Sequence, residues 1–162
     1  MPSKKEIRSR QRKKIIPSIF APNVPPSVLK ANLQFIAEDE ESNRVLLFDK
    51  NYEVKFFKFD NHFLPTIQFI RDNPTVDFPS VKVDQGAVAH ILNGANIFAQ
   101  GITSVSRDFD THTIVMVFNP QDAVLALGKS LKSSSEIINS KGKALENIHF
   151  LGDSIWDGKI GK

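Results

Sequence analysis

The chain has 162 residues, 41% hydrophobic and 24% charged, with a net charge of +3. That length buries a core as one medium domain or two small ones, and no apolar run approaches the ~18 residues of a membrane span or the core of a secretory signal. With no cysteine, disulfides, thiolate zinc sites and cysteine nucleophiles are excluded, and the simplest expectation is a cytoplasmic protein that spans no membrane.

The charge is uneven. Residues 1–14 hold seven basic side chains (Lys4, Lys5, Arg8, Arg10, Arg12, Lys13, Lys14) against Glu6, so this stretch carries +6 and the other 148 residues −3. Such a segment favours phosphate backbones through counterion release; it reads equally as a solvated terminus. Ser3-Lys4-Lys5-Glu6 has the spacing of a capping box, which predicts a basic helix from about Lys4 to Ile15, ended by Pro17. Pro22, Pro25 and Pro26 keep the next stretch extended, residues 28–35 admit one helical turn, and the acidic run 38–41 with Ser42-Asn43 reads as a loop. Two β-rich runs, 44–49 and 52–59, flank Lys50-Asn51 at hairpin spacing. Phe57 and Phe59 share one strand face, Phe56 and Lys58 the other. Residues 63–71 predict a short helix with Pro65 in its first turn, stopped by Asp72-Asn73-Pro74. The connector 74–79 places a domain boundary at about residue 78.

Residues 81–102, VKVDQGAVAHILNGANIFAQGI, organise the second half. Val83, Ala87, Val88, Ile91 and Leu92 recur at helical spacing and commit one face to a core. Asp84 stands at the N-cap position, and Asn93-Gly94 ends the helix because glycine enters the left-handed region at no steric cost. A strand over 96–99 leads to a second glycine turn at Gly101. Two such turns bring bare backbone to the surface beside a helix, an edge suited to a polar partner. A polar loop (103–112), a buried strand (113–118), a turn (119–122) and a strand (123–127) follow. Ser133-Ser134-Ser135-Glu136 opens a short helix to about Asn139. Lys141-Gly142-Lys143 is a basic turn, 145–151 the last strand, and Gly152-Asp153 turns into Trp156. This half reads as a small, mostly β barrel or sandwich.

Chemistry-bearing motifs are sparse. Asp108, Asp110 and His112 alternate, which would put them on one strand face as metal ligands, but charged residues are ordinary between a loop and a strand, and no metal site is assigned. No GxSxG, HExxH, P-loop or GxGxxG is present. His62, His90, His112 and His149 are scattered, and no carboxylate pair stands out among 18 acids. No catalytic residue and no cofactor is assigned. Lys141, Lys143, His149 and Lys159 cluster around the last strand; beside the glycine turns they would form a small basic face, and they read as well as ordinary surface groups around a turn.

Val83-Asp84, Gly86-Ala87, Asn93-Gly94-Ala95-Asn96-Ile97 and Gly101-Ile102 resemble the signature of the PUA domain, an RNA-binding module. With the block Glu146-Asn147-Ile148-His149-Phe150-Leu151-Gly152-Asp153 and Trp156, and with Pro65-Thr66 and Pro74, the chain resembles the malignant T-cell-amplified-sequence family of translation machinery-associated proteins, in its archaeal form. The resemblance implies an α+β fold: a small α/β pre-PUA domain (1–78), then a mostly β PUA pseudobarrel (79–162). It implies a non-enzymatic protein whose PUA half binds structured RNA (tRNA or rRNA) or the small ribosomal subunit in initiation or recycling. An initiation-factor-like protein partner is implied as well, since eukaryotic members act with density-regulated protein. Gly86, Gly94, Ala95 and Gly101 would allow close backbone approach. Lys82, Gln85, Asn93 and Asn96 would contact phosphate or bases, beside Lys141, Lys143 and His149. Residues 1–43 match the family poorly, Phe98-Ala99-Gln100 replaces a Met-Cys-Pro-like segment, and 105–111 diverge. Two other readings stand beside this one: an accessory of RNA modification, and a ribosome or initiation-factor adaptor with little affinity for naked RNA.

Overall fold

A computed structural model describes residues 4–160. They divide into two units: the chain up to Asp77 together with the stretch from Ser154 onward, and Phe78–Asp153.

The first unit contains β1 (Lys5–Glu6), α1 (Ser9–Ile15), a 3-10 turn (Ile16–Ser18), α2 (Pro26–Ala31), β2 (Phe35–Asp39), β3 (Arg44–Phe48), β4 (Val54–Phe59), β5 (His62–Pro65) and α3 (Ile67–Asp72). The five strands pair in sequence order as an antiparallel meander. Leu46 and Leu47 face Phe57 and Phe56 across the central hairpin, and these four are buried with Ile67 and Phe69.

Three expectations change here. Lys5–Glu6 pairs with Ile36 and Phe35, so the first helix starts at Ser9 rather than Lys4; Ser3 lies outside the described residues. Ile7, apolar in a basic run, is buried by that pairing, and its amide donates to the Gln34 carbonyl at 2.9 Å. Glu38 and Asp39 continue β2 opposite Val45 and Arg44 instead of opening a loop. Residues 62–65 form an edge strand opposite Phe56–Phe59, where the missing amide of Pro65 is tolerated. The helix follows only after Thr66, whose buried Oγ1 accepts from the Phe69 amide and donates to the Val54 carbonyl.

The segment from Ser154 belongs to this unit, although the sequence division gave it to the second. Arg44 donates to Ser154 Oγ and to the Lys159 carbonyl, the Arg71 guanidinium lies 5.5 Å from the Trp156 ring centre, and Ile155 and Ile160 are buried.

The second unit contains β6 (Ser80–Val83), α4 (Gln85–Ile91), β7 (Ile97–Phe98), a 3-10 turn (Ala99–Gly101), β8 (Ile102–Val105), β9 (Ile114–Phe118), β10 (Val124–Ser130), α5 (Ser134–Ile137) and β11 (Lys143–Phe150). The sheet runs β7-β11-β10-β9-β6-β8 and curls into a half-barrel, with β6–β9 its parallel pair. Val81, Val83, Val115, Val117, Ala126 and Leu145 fill it. The fold is α+β, as expected. Residues 103–105, expected in a loop, pair with β6 as part of β8. Leu92, expected in the core, is exposed. Ser133 and Glu136 close a capping box, and the hydrogen bonds from Ser133 hold the Glu136 carboxyl below the usual carboxylate range. Among the described residues no helix is long and apolar enough to cross a membrane, and no three His, Asp or Glu side chains, Asp108, Asp110 and His112 included, converge to hold a metal.

Candidate nucleic-acid interface

The interface is built outward from α4. Asp84 Oδ1 accepts from the Ala87 amide at 2.9 Å, satisfying an orphan donor of the first turn. At the other end Gly94 (φ +90°) donates to the Ile91 carbonyl and Ala95 to that of His90, both at 3.0 Å, the two bonds of a Schellman exit. A side chain at Gly94 would be strained by its φ and would meet the Phe150 ring at 3.4 Å. Gly94 therefore has a structural role before any ligand is considered.

A residue that the sequence reading passed over holds this exit in place. Asn147 on β11 donates through Nδ2 to the carbonyls of Ile91 and Ala95, at 3.1 and 3.0 Å. Its own amide donates to Asn96 Oδ1 at 3.0 Å. Asn96, expected to face RNA, is half-buried and occupied in this clamp.

Between α4 and the β7 turn lies a groove of about 450 Å³, with Ala87, Ile91 and Ile97 inside and His90, Phe98 and Gln100 at its rim. The turn at Gly101 lies beside the helix, where a Cβ would make an ordinary 3.4 Å contact with Ala87 Cβ. Phe98 is 44% exposed and stands opposite Lys143 in the β7–β11 register. The basic turn is tied to the same rim, since the Ala99 amide donates to the Gly142 carbonyl and the Gly142 amide to Gln100 Oε1. Lys132 Nζ donates to the Lys141 carbonyl at 2.8 Å. Lysines 141 and 143 thus stand exposed on the turn and strand next to Phe98 and Gln100, two residues of the groove's lining.

The structure does not gather all the expected residues. Gln85, Gly86, Asn93, Gly94 and Ala95 are exposed along or just beyond α4. Lys82 lies elsewhere, on β6, ion-paired with Asp122 at 2.6 Å beside a smaller cavity of about 280 Å³. His149 is a correction. It has no exposed surface, and its Nδ1 faces the Asp153 carboxylate at 2.9 and 3.1 Å, so its ring cannot meet an RNA. Asp153 four residues on was the signal in the sequence for that pairing. Phe98 and His90 are the rim groups that reading missed; Phe98 counted there as part of a strand and of a segment that departs from the family, not as a contact residue.

Residues 79–151 match the PUA domain family. Translation machinery-associated protein 20 of Eremothecium gossypii is 34% identical over 137 residues, covering 79% of this chain and 73% of that one. The chain belongs to the translation machinery-associated protein 20 family. That family also holds the malignant T-cell-amplified sequence proteins, which reach 34% identity as well. An uncharacterized protein of Methanocaldococcus jannaschii is 29% identical over 97% of this chain and 94% of its own length. A PUA domain crystal structure from Aeropyrum pernix shares the fold, with TM-score 0.78 at 20% identity over 100% of this chain and 94% of that one.

Proposed function

We propose that this chain is a non-enzymatic, cytoplasmic RNA-binding protein of the translation apparatus, and that the groove beside α4 grips structured RNA, tRNA or rRNA of the small subunit. The observation that carries this reading is the pairing of Phe98 with Lys143 at the mouth of an apolar groove. An unpaired base can enter such a groove while the lysines take its phosphates. Exposed helix backbone at Gln85-Gly86 gives the strand a surface to follow.

The basic N-terminal stretch adds a phosphate-binding surface, with one revision. Arg12 donates to the carbonyls of Leu33 and Ile7 and is a structural strut. Arg8, Arg10, Lys13 and Lys14 keep exposed or partly exposed cationic heads.

The test is fluorescence anisotropy with a tRNA transcript and a small-subunit rRNA fragment across a salt series, comparing wild type with Lys141→Glu/Lys143→Glu. The double variant is expected to bind at least tenfold more weakly and to lower the salt slope by about 2, with unchanged thermal stability. An unchanged slope overturns the groove as the RNA site. Co-sedimentation with small subunits without affinity for either RNA would favour the adaptor reading.

A further inference from the structure

Asn93-Gly94 is the one Asn-Gly pair in the chain, and both residues are exposed at the end of α4. In an open chain this pair is especially prone to lose the asparagine amide, because glycine has no side chain to shield its nitrogen from the neighbouring carbonyl. The Gly94 amide gives up its proton and attacks Asn93 Cγ. A bond forms between the Gly94 nitrogen and Cγ, the Cγ–Nδ2 bond breaks, and Nδ2 leaves with the proton as ammonia. Water then opens the cyclic imide at one carbonyl or the other, giving aspartate or isoaspartate. No oxidant or reductant is needed.

In the folded chain the attacking nitrogen is engaged. Gly94 donates to the Ile91 carbonyl at 3.0 Å. That carbonyl takes a second bond from Asn147 Nδ2 at 3.1 Å, and the same Nδ2 donates to the Ala95 carbonyl at 3.0 Å. Backbone on both sides of the pair is thus pinned to β11 by one side chain. Closing the imide ring turns the Asn93–Gly94 peptide and draws Gly94 off Ile91. We infer that Asn93-Gly94 is a latent deamidation site, and that Asn147 keeps it closed by holding the carbonyl that holds the attacking nitrogen. A hydrogen-bonded amide reacts from its opened state, so the rate follows the local opening equilibrium, which loss of the Asn147 donors raises. The product places a carboxylate at the α4 exit. The iso form also adds a methylene to the backbone where the Schellman bonds form.

The reaction itself does not depend on the RNA-binding reading; only its effect on the groove does, so the two can fail separately. The full chain is held at mildly alkaline pH and sampled over days. Isoaspartate is counted by enzymatic methylation and placed by peptide mass mapping. Asn147→Ala is expected to modify residue 93 about tenfold faster than wild type. Val117→Ala truncates the buried core of the same unit and controls for general loosening; its rate at residue 93 should stay within about twofold of wild type. Asn147→Ala/Asn93→Ser removes the reacting amide and should bring total isoaspartate back to the wild-type level. Equal rates in wild type and Asn147→Ala, an equal acceleration in Val117→Ala, or excess isoaspartate that survives Asn93→Ser overturns the inference. Aged Asn147→Ala should also bind a tRNA transcript more weakly than the fresh sample. Unchanged affinity with residue 93 modified overturns the link to the groove and leaves the site standing.

Discussion

At Lys143, β11 runs beside β7 with its side chain in solvent opposite Phe98. At His149, near the other end of the same strand, the imidazole is sealed against Asp153. Both are basic residue types on one strand, yet one stands in solvent and the other is buried in the fold. Asn147 lies between them and does a third thing: it fastens the exit of α4 to the strand. The exposed end proposed to bind can carry lysines because the buried end and the clamp fix where the strand lies.

Breaking the buried end should cost most. His149→Ala leaves a cavity and removes the imidazole from a carboxylate that keeps the Phe150 amide, with an expected loss of about 3 kcal/mol, read as a lower urea midpoint at unchanged m-value. If stability stays within about 0.5 kcal/mol of wild type, the ring is not the seal described. Asn147→Ala removes two donors from backbone carbonyls and should cost about 2 kcal/mol. It should also weaken RNA binding indirectly by loosening residues 93–96, visible as faster amide exchange at Gly94 and Ala95. Normal exchange there would separate the clamp from the α4 exit. The smallest effect has the opposite sign. A Cβ at Gly86 meets only Asp84 Oδ1, at an ordinary 3.5 Å, so Gly86→Ala should stabilise the unit by about 0.5–1 kcal/mol. RNA affinity should fall nonetheless if the strand follows the bare helix backbone. A variant that is both more stable and equally tight would remove Gly86 from the interface.

What could be read from the chain divides along the same line between local and distant causes. Asp84, Asn93-Gly94 and the Ser133–Glu136 box act on backbone within four residues, and the limits of α4 and the start of α5 follow from them. The strand at Lys5–Glu6 was not legible because its partner lies some thirty residues away. The strand before Thr66 was hidden because a proline at an edge and a proline in a first helical turn look alike without the register. His149 was misjudged for a similar reason. β11 gains an extra residue, Ile148, between the positions facing Leu127 and Gly128, so alternation counted from Lys143 cannot place the histidine. The glycine turns predicted an exposed edge for a polar partner, but neither the apolar groove nor its aromatic rim, since a Phe in a short strand is indistinguishable from core until its neighbours are known.

The segment from Ser154 has a consequence for synthesis. The first unit is interrupted in sequence: Arg44, Arg71 and Phe48 wait for Ser154, Trp156 and Gly158, while residues 78–153 are contiguous. As the chain leaves the ribosome, the unit that begins first is therefore finished second. It must persist as a five-stranded sheet without these contacts while the half-barrel forms. A released chain truncated after Asp153 should thus display a complete PUA half-barrel and a first unit that is still open to proteolysis.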